Sequence, residues 1–96
     1  MALEDTPLKN NETHDRFEVN IDGGTAFINY VKRGNIYFLV HTQVPEELQG
    51  RGIAGALVEK TFKYLEEGGF KMMPYCPYVQ AYLKRHPEWV KLVAGN

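Results

Sequence analysis

The sequence has one cysteine, Cys76, no long hydrophobic run and no excess of charge of either sign. One cysteine excludes an intrachain disulfide, and the three histidines show no zinc-ligand spacing. No apolar run approaches the roughly 18 residues of a membrane-spanning helix, and the first residues are not those of a signal peptide. The formal net charge of -1 lacks the basic excess typical of nucleic-acid binding. We therefore expect a protein of the reducing cytoplasm that binds neither membranes nor nucleic acid.

The length and composition predict a single small domain. The 96 residues are 44% hydrophobic, and they leave no length for a second domain. The stretch 1–14 is polar, contains Pro7 and shows no hydrophobic period, which predicts a flexible N-terminal tail before a domain spanning 15–96. With no disulfide, the core has to come from packing, and the five phenylalanines, six tyrosines and Trp89 supply large apolar side chains for it.

The first half of the domain has the hydrophobic pattern of strands. Hydrophobic residues alternate in the stretches 17–21 and 26–30, and a glycine-rich turn lies between them, which predicts a β-hairpin. The nearly continuous apolar run 36–42 predicts a third, central strand that is buried on both faces. Short turns join all three strands, so we expect an antiparallel meander.

The second half has the hydrophobic pattern of helices. After Pro45 the period becomes helical and predicts a helix over 52–67, which a glycine pair ends. A short strand over 70–73 and a second helix over 78–85 follow. The order is therefore β-β-β-α-β-α, and the helical crossover makes the third and fourth strands parallel. These elements predict an α+β fold with a mixed, mostly antiparallel sheet.

Three glycines, Gly50, Gly52 and Gly55, precede or open the first helix. The first N–H groups of a helix have no partner within it, and glycines leave them uncovered, which predicts a phosphate-binding loop. Arg51 adds positive charge. In the alternative interpretation, Gly50 and Gly52 only shape a turn and Gly55 lets the helix approach the sheet. The glycines also match the dinucleotide pattern GxGxxG, but three meander strands precede them, so NAD is not expected.

With Gln49 included, the loop contains Q-x-x-G-x-A and resembles the signature of the GNAT superfamily of acetyl-coenzyme A-dependent N-acyltransferases. The Val44-Pro45 pair and the element order are similar to the core of that family, so the resemblance implies a minimal GNAT-like fold. It also implies that main-chain N–H groups of the loop bind the pyrophosphate of coenzyme A. The cofactor-binding residues implied in this way are Val44, Gln49, Gly50, Arg51, Gly52, Ile53, Ala54 and Gly55.

More narrowly, three short motifs resemble a group of very short GNAT-like proteins. They begin at His41, Cys76 and His86 and read H-T-x-V-P, C-P-Y-V and H-P-E-W. The helices that larger GNAT enzymes have between their first two strands are missing here, as is their late Y-x-x-x-G-F segment. Because those parts help to build the acceptor site, the class of acceptor stays open.

Several side chains are candidates for the chemistry. The short group carries its cysteine at the position of Cys76, and the resemblance implies that Cys76 is catalytic. Its place at a helix start predicts an accessible, reactive sulfur, whereas the alternative is a buried, apolar cysteine. His41 is a candidate general base, or a structural residue at the end of its strand. By resemblance to larger GNAT enzymes, Tyr78 or Tyr82 is a candidate general acid.

We therefore expect acetyl transfer from acetyl-coenzyme A to an amine of a small molecule or a protein. The transfer proceeds directly or through an acyl-cysteine at Cys76, and the sequence does not distinguish these routes. Two other classes of function remain open. A non-catalytic coenzyme A-binding module would keep the loop without turnover, and a small interaction domain would bind no coenzyme A.

Overall fold

The alternating stretches of the sequence form neighbouring strands of one sheet in the computed structural model, which describes residues 5–95. The strands, in spatial order, are β1 (Lys9–Asn11), β2 (Arg16–Ile21), β3 (Gly24–Arg33), β4 (Ile36–Gln43) and β5 (Lys71–Pro74). The helices are α1 (Ile53–Gly68) and α2 (Pro77–Arg85), with 3-10 turns at Glu46–Leu48 and Pro87–Leu92. Strands β1 to β4 are antiparallel and β5 is parallel to β4. The predicted α+β fold with a mixed sheet is confirmed, with β1 as an additional edge strand.

Strand β1 lies within the stretch 1–14, which the sequence predicted to be a flexible tail. The side chain of Asn10 joins it to the core, because its Oδ1 accepts a hydrogen bond of 2.6 Å from Tyr30 Oη and its Nδ2 donates one of 3.2 Å to Tyr64 Oη. These partners are distant in sequence, so the polar composition of this stretch gives no sign of the pairing. Residues 1–4 of the expected tail lie outside the described residues.

Both helices pack on the same face of the sheet. Helix α1 contacts β2, β3 and β5, helix α2 contacts β4 and β5, and the rings of Phe62 and Tyr82 join the two helices at 5.7 Å. Tyr37 and Leu39 of β4 are buried under this layer, whereas Val40 is 39% exposed. The prediction that this strand is buried on both faces was therefore wrong, because no helix of the described chain covers its other face. Within residues 5–95 no helix has the length and hydrophobicity to cross a membrane.

A β-bulge and an early end to strand pairing open the sheet at one point. Asn29 pairs with His41 and Tyr30 pairs with Leu39, so Val40 is an extra residue in β4. The parallel pairing of β4 with β5 extends only from Ile36 to Leu39. Beyond this pairing, β4 continues to Gln43, while the segment after β5 turns through residues 75–76 into α2. We call the resulting space, between the end of β4 and the start of α2, the strand gap.

Candidate functional site

The loop between β4 and α1 has a backbone that only glycine adopts readily at two positions. After the 3-10 turn at Glu46–Leu48, Gly50 has φ 81° and Gly52 has φ 75°. Both angles lie in the left-handed region, where a Cβ atom would be strained. The side chain of Gln49 donates a hydrogen bond of 3.2 Å to the carbonyl of Val44, which ties the loop to its own start. The glycines therefore set the path of the chain into α1.

The N-terminus of α1 has no side chain satisfying its N–H groups. Gly52 is the N-cap, no side-chain cap hydrogen bond is formed, and no acidic residue lies in the first turn. The N–H of Ala56 donates to the carbonyl of Gly52 at 3.2 Å, so the N–H groups of Ile53, Ala54 and Gly55 precede this first helical bond. The positive end of the helix dipole and these N–H groups together favour an anion at this point.

A cavity of about 230 Å³ lies at this helix start. Its lining consists of the predicted coenzyme A-binding residues other than Arg51, together with Leu48 and Tyr78. The structure therefore brings the sequence-predicted loop residues together around one space. Leu48, a buried side chain of the 3-10 turn, was not a predicted site residue, and no motif in the sequence indicated it.

Arg51 does not line this cavity and instead contacts the β2–β3 turn. Its guanidinium forms an ion pair of 2.9 Å with Asp22 in the turn between β2 and β3, and both side chains are about half exposed. The start of β3, next to this turn, packs against the 3-10 turn before the loop, because a Cβ added at Gly24 would lie only 2.9 Å from Leu48 Cδ1. Arg51 thus attaches the loop to the hairpin, and an exposed ion pair of this kind contributes little stability.

Gly55 faces α2 and not the sheet. A Cβ at this position would lie 3.6 Å from Tyr78 Oη and 3.9 Å from a ring carbon of Tyr82, which are ordinary contact distances. The alternative that Gly55 lets the helix approach the sheet is therefore wrong. A second cavity of about 270 Å³ between α1 and α2 shares Gly55 and Tyr78 with the first, so the two cavities adjoin along α2. Arg85 and His86 lie at its far end.

Cys76 is the N-cap of α2 and is only 3% exposed. Its N–H donates to the carbonyl of Leu39 at 2.8 Å, and this bond holds the residue against the last paired position of β4. Its Sγ shares a hydrogen bond of 3.2 Å with Thr42 Oγ1. The prediction of an accessible sulfur was therefore wrong, because the backbone contact with β4 places the thiol in the core at the base of the strand gap.

His41 lies on the other side of β4. It is exposed, and its Nε2 lies 3.3 Å from Gln43 Oε1. Successive side chains of a strand point to opposite faces, so His41 projects away from its neighbour Thr42 and from Cys76. The structure therefore does not pair the two predicted catalytic residues. In the described part of the chain, no cluster of His, Cys, Asp or Glu side chains is arranged to hold a metal ion.

The two candidate tyrosines of α2 differ in their surroundings. Tyr78 is exposed and lines both cavities. Tyr82 stacks on the His86 ring at 4.2 Å, and burial raises its pKa, with further contributions from Glu59 and Glu88. A phenol with a raised pKa keeps its proton at neutral pH. Tyr82 therefore keeps a hydroxyl proton at the second cavity, while Tyr78 lies nearer to the loop.

Known proteins and a protein-family model are similar to this chain over most of its length. The family model described as GCN5-related N-acetyl-transferase matches residues 16–92. The chain is 34% identical over 82 residues to Protein NATD1 of Mus musculus, covering 77% of this chain and 74% of that protein. It is also 34% identical over 82 residues to Protein NATD1 of Homo sapiens, covering 77% and 72%, and 33% identical to that of Xenopus tropicalis, covering 77% and 74%.

Proposed function

This chain belongs to the GCN5-related N-acetyltransferase family, and we propose that it transfers an acetyl group from acetyl-coenzyme A to an amine. The observation that carries the proposal is the uncapped N-terminus of α1, which opens onto a cavity lined by the family-signature residues Gln49, Gly52 and Ala54. A non-catalytic coenzyme A-binding module would use the same cavity, so turnover has to be tested separately from binding.

The diphosphate of coenzyme A fits the loop on three grounds. The N–H groups of Ile53, Ala54 and Gly55 are not used by the helix, the first turn holds no acidic residue, and Gly50 and Gly52 leave open space where side chains would stand. We propose that these N–H groups hold the diphosphate. Arg51 stays paired with Asp22 and positions the loop.

In the proposed reaction, acetyl-coenzyme A supplies the acetyl group as an activated thioester. Main-chain N–H groups of β4 at the strand gap hydrogen-bond to the acetyl carbonyl oxygen. His41 accepts the proton that the amine nitrogen loses as it bonds to the acetyl carbon. Tyr78, at the cavity, donates its hydroxyl proton to the sulfur as the carbon–sulfur bond breaks. Both side chains are exposed and recover their protonation states from solvent.

We propose the direct route, because it needs no movement of Cys76 out of the core. The acyl-cysteine route is a second candidate, since Cys76 lies at the strand gap and shares a hydrogen bond with Thr42 there. The two routes differ in one product. Only the acyl-cysteine route leaves an acetyl group on the protein when the amine is withheld.

The proposed function is tested by thermal denaturation with acetyl-coenzyme A, NAD or ATP, followed by a coupled assay for free thiol in the presence of amines. A ligand at 100 times its Kd stabilises the native state by ~2.7 kcal/mol. Of the three ligands, we expect only acetyl-coenzyme A to give this stabilisation. We also expect that free thiol is released only when an amine is present. Stabilisation without thiol release would assign the chain to the binding modules, and a larger effect of NAD would contradict the proposal.

A further inference from the structure

The face of the sheet that no described helix covers carries an apolar surface beside the strand gap. Val31 is 41% exposed, Val40 39% and Tyr75 58%, and the rings of Phe38 and Tyr75 lie 5.5 Å apart. These four residues and Arg33 line a cavity of about 230 Å³, which we call the outer shelf. Clustered exposed apolar side chains of this kind, bordered by a charge, are typical of binding surfaces.

The outer shelf begins at the strand gap and extends along β4. Val40 is the bulged residue at the gap, and Tyr75 immediately precedes Cys76. The other end is marked by Arg33, which pairs in register with Ile36, four residues before Val40. At roughly 3.3 Å per residue, the distance along the strand is ~13 Å. A free amino acid is too short to reach from the gap to Arg33, whereas an extended peptide spans this length.

Arg33 gives the far end of the outer shelf a positive charge. The residue is exposed, and none of the ion pairs found among residues 5–95 includes it. The shelf lining contains no acidic residue that would neutralise it. A guanidinium beside an apolar wall favours a carboxylate carried by an apolar ligand. A second copy of this chain docked shelf to shelf would bring no acidic lining residue to Arg33.

We propose that the outer shelf binds an acceptor peptide in extended conformation, with its amine at the strand gap, apolar side chains on Val31, Phe38 and Val40, and a carboxylate at Arg33. The placement of the amine depends on the proposed function, since the thioester has to meet it at the gap. His41 is on this face of β4 as well, where it can accept the proton of the incoming amine. The acceptor is therefore a polypeptide with a free N-terminus, apolar residues and an acidic residue about four positions later.

The test uses three five-residue peptides with an amidated C-terminus, a free N-terminal amine and apolar residues, which differ only at the last position, Glu, Gln or Lys. Only acetylation of the N-terminal amine is counted, because the Lys peptide carries a second amine. Acetylation is followed as kcat/KM, and binding is measured separately with fluorescent versions of the peptides. We expect the Glu peptide to be preferred over the Gln peptide by roughly 2- to 5-fold, as for an exposed ion pair. The Lys peptide should be the poorest of the three.

Arg33→Glu should reverse this order in both assays. The matched control is Lys63→Glu, which makes the same charge change on the exposed side of α1, where Lys63 pairs with Glu59, and it should keep the wild-type order. Val31→Thr keeps a β-branched side chain in the strand, and it should lower binding of all three peptides several-fold. Coenzyme A binding, measured by calorimetry, should be unchanged in these variants.

Each contrary outcome has a distinct meaning. Coenzyme A binding with acetylation of all three peptides at equal rates would overturn the outer shelf proposal and leave the proposed function intact. Peptide binding in the expected order without any acetylation would overturn the proposed function and support the shelf. A dimer in sedimentation that Val31→Lys dissociates would show that a second copy covers the shelf, and would overturn the proposal.

Discussion

Replacing Gly52 by valine should abolish coenzyme A binding while leaving the protein folded. Gly52 has φ 75° as the N-cap of α1, and a β-branched residue in this region costs about 1–3 kcal/mol of strain. The strain is relieved if the loop rotates, and rotation turns away the N–H groups of Ile53 and Ala54. Nothing lies within 4 Å of the position that a Cβ would take, so backbone conformation and not crowding is the cause.

Gly69→Val is the matched control. Gly69 has φ 74°, a Cβ there also meets nothing within 4 Å, and the residue caps the opposite end of the same helix. Both variants should therefore lose about 1–3 kcal/mol of unfolding free energy, with a fall in Tm of roughly 4–8 °C for each kcal/mol. Arg51→Ala breaks one exposed ion pair and should cost less than about 1 kcal/mol.

Calorimetric titration with coenzyme A, combined with thermal denaturation, separates stability from binding. We expect Gly69→Val and Arg51→Ala to bind nearly as well as the wild type, and Gly52→Val to show no heat of binding and no ligand-dependent rise in Tm. Normal binding by Gly52→Val, or an equal loss in Gly69→Val, would mean that the diphosphate does not lie at the N-terminus of α1.

Two further predictions concern the core. Cys76 should be alkylated slowly in the folded protein because its side chain is buried, and Cys76→Ser should keep both coenzyme A binding and acetyl transfer. An acetyl adduct on Cys76 in mass spectra after incubation with acetyl-coenzyme A, together with an inactive Cys76→Ser variant, would instead establish the acyl-cysteine route. Burial raises the pKa of Tyr30 to about 12, and nearby carboxylates contribute. Its protonated form therefore stabilises the native state below pH ~10, and this stability should be lost as the pH rises from ~10 towards ~12, with a shallower decline in Tyr30→Phe, measured by chemical denaturation.

The sequence was sufficient where the determining interactions are local. The alternation around Phe17 and the helical period after Ile53 each arise because one face of the element is buried, so these strands and this helix could be predicted. The loop could be predicted because Gly50 and Gly52 have positive φ angles, which no other residue adopts as readily. The resemblance of Gln49, Gly52 and Ala54 to the GNAT signature then indicated most of the cavity lining, but not Leu48.

Features that depend on distant contacts could not be predicted. Strand β1 is held by Asn10 and two tyrosines that are 20 and 54 positions away in sequence. The burial of Cys76 depends on its N–H bond to Leu39, which only the parallel register of β4 and β5 brings near. The apolar pattern of 36–42 likewise did not reveal that both helices cover the same face, which leaves Val40 exposed.

Coenzyme A binding at the N-terminus of α1 is tested most directly by following backbone amide signals during titration of the labelled protein with coenzyme A. We predict that the largest shifts occur at Ile53, Ala54 and Gly55, whose N–H groups face the diphosphate in the proposed complex, and at the adjoining N-cap Gly52. The amide of Gly69, at the other end of the helix, should not move. Saturable shifts that leave these four amides unchanged, or no shifts at all, would contradict the assignment of this loop as the coenzyme A site.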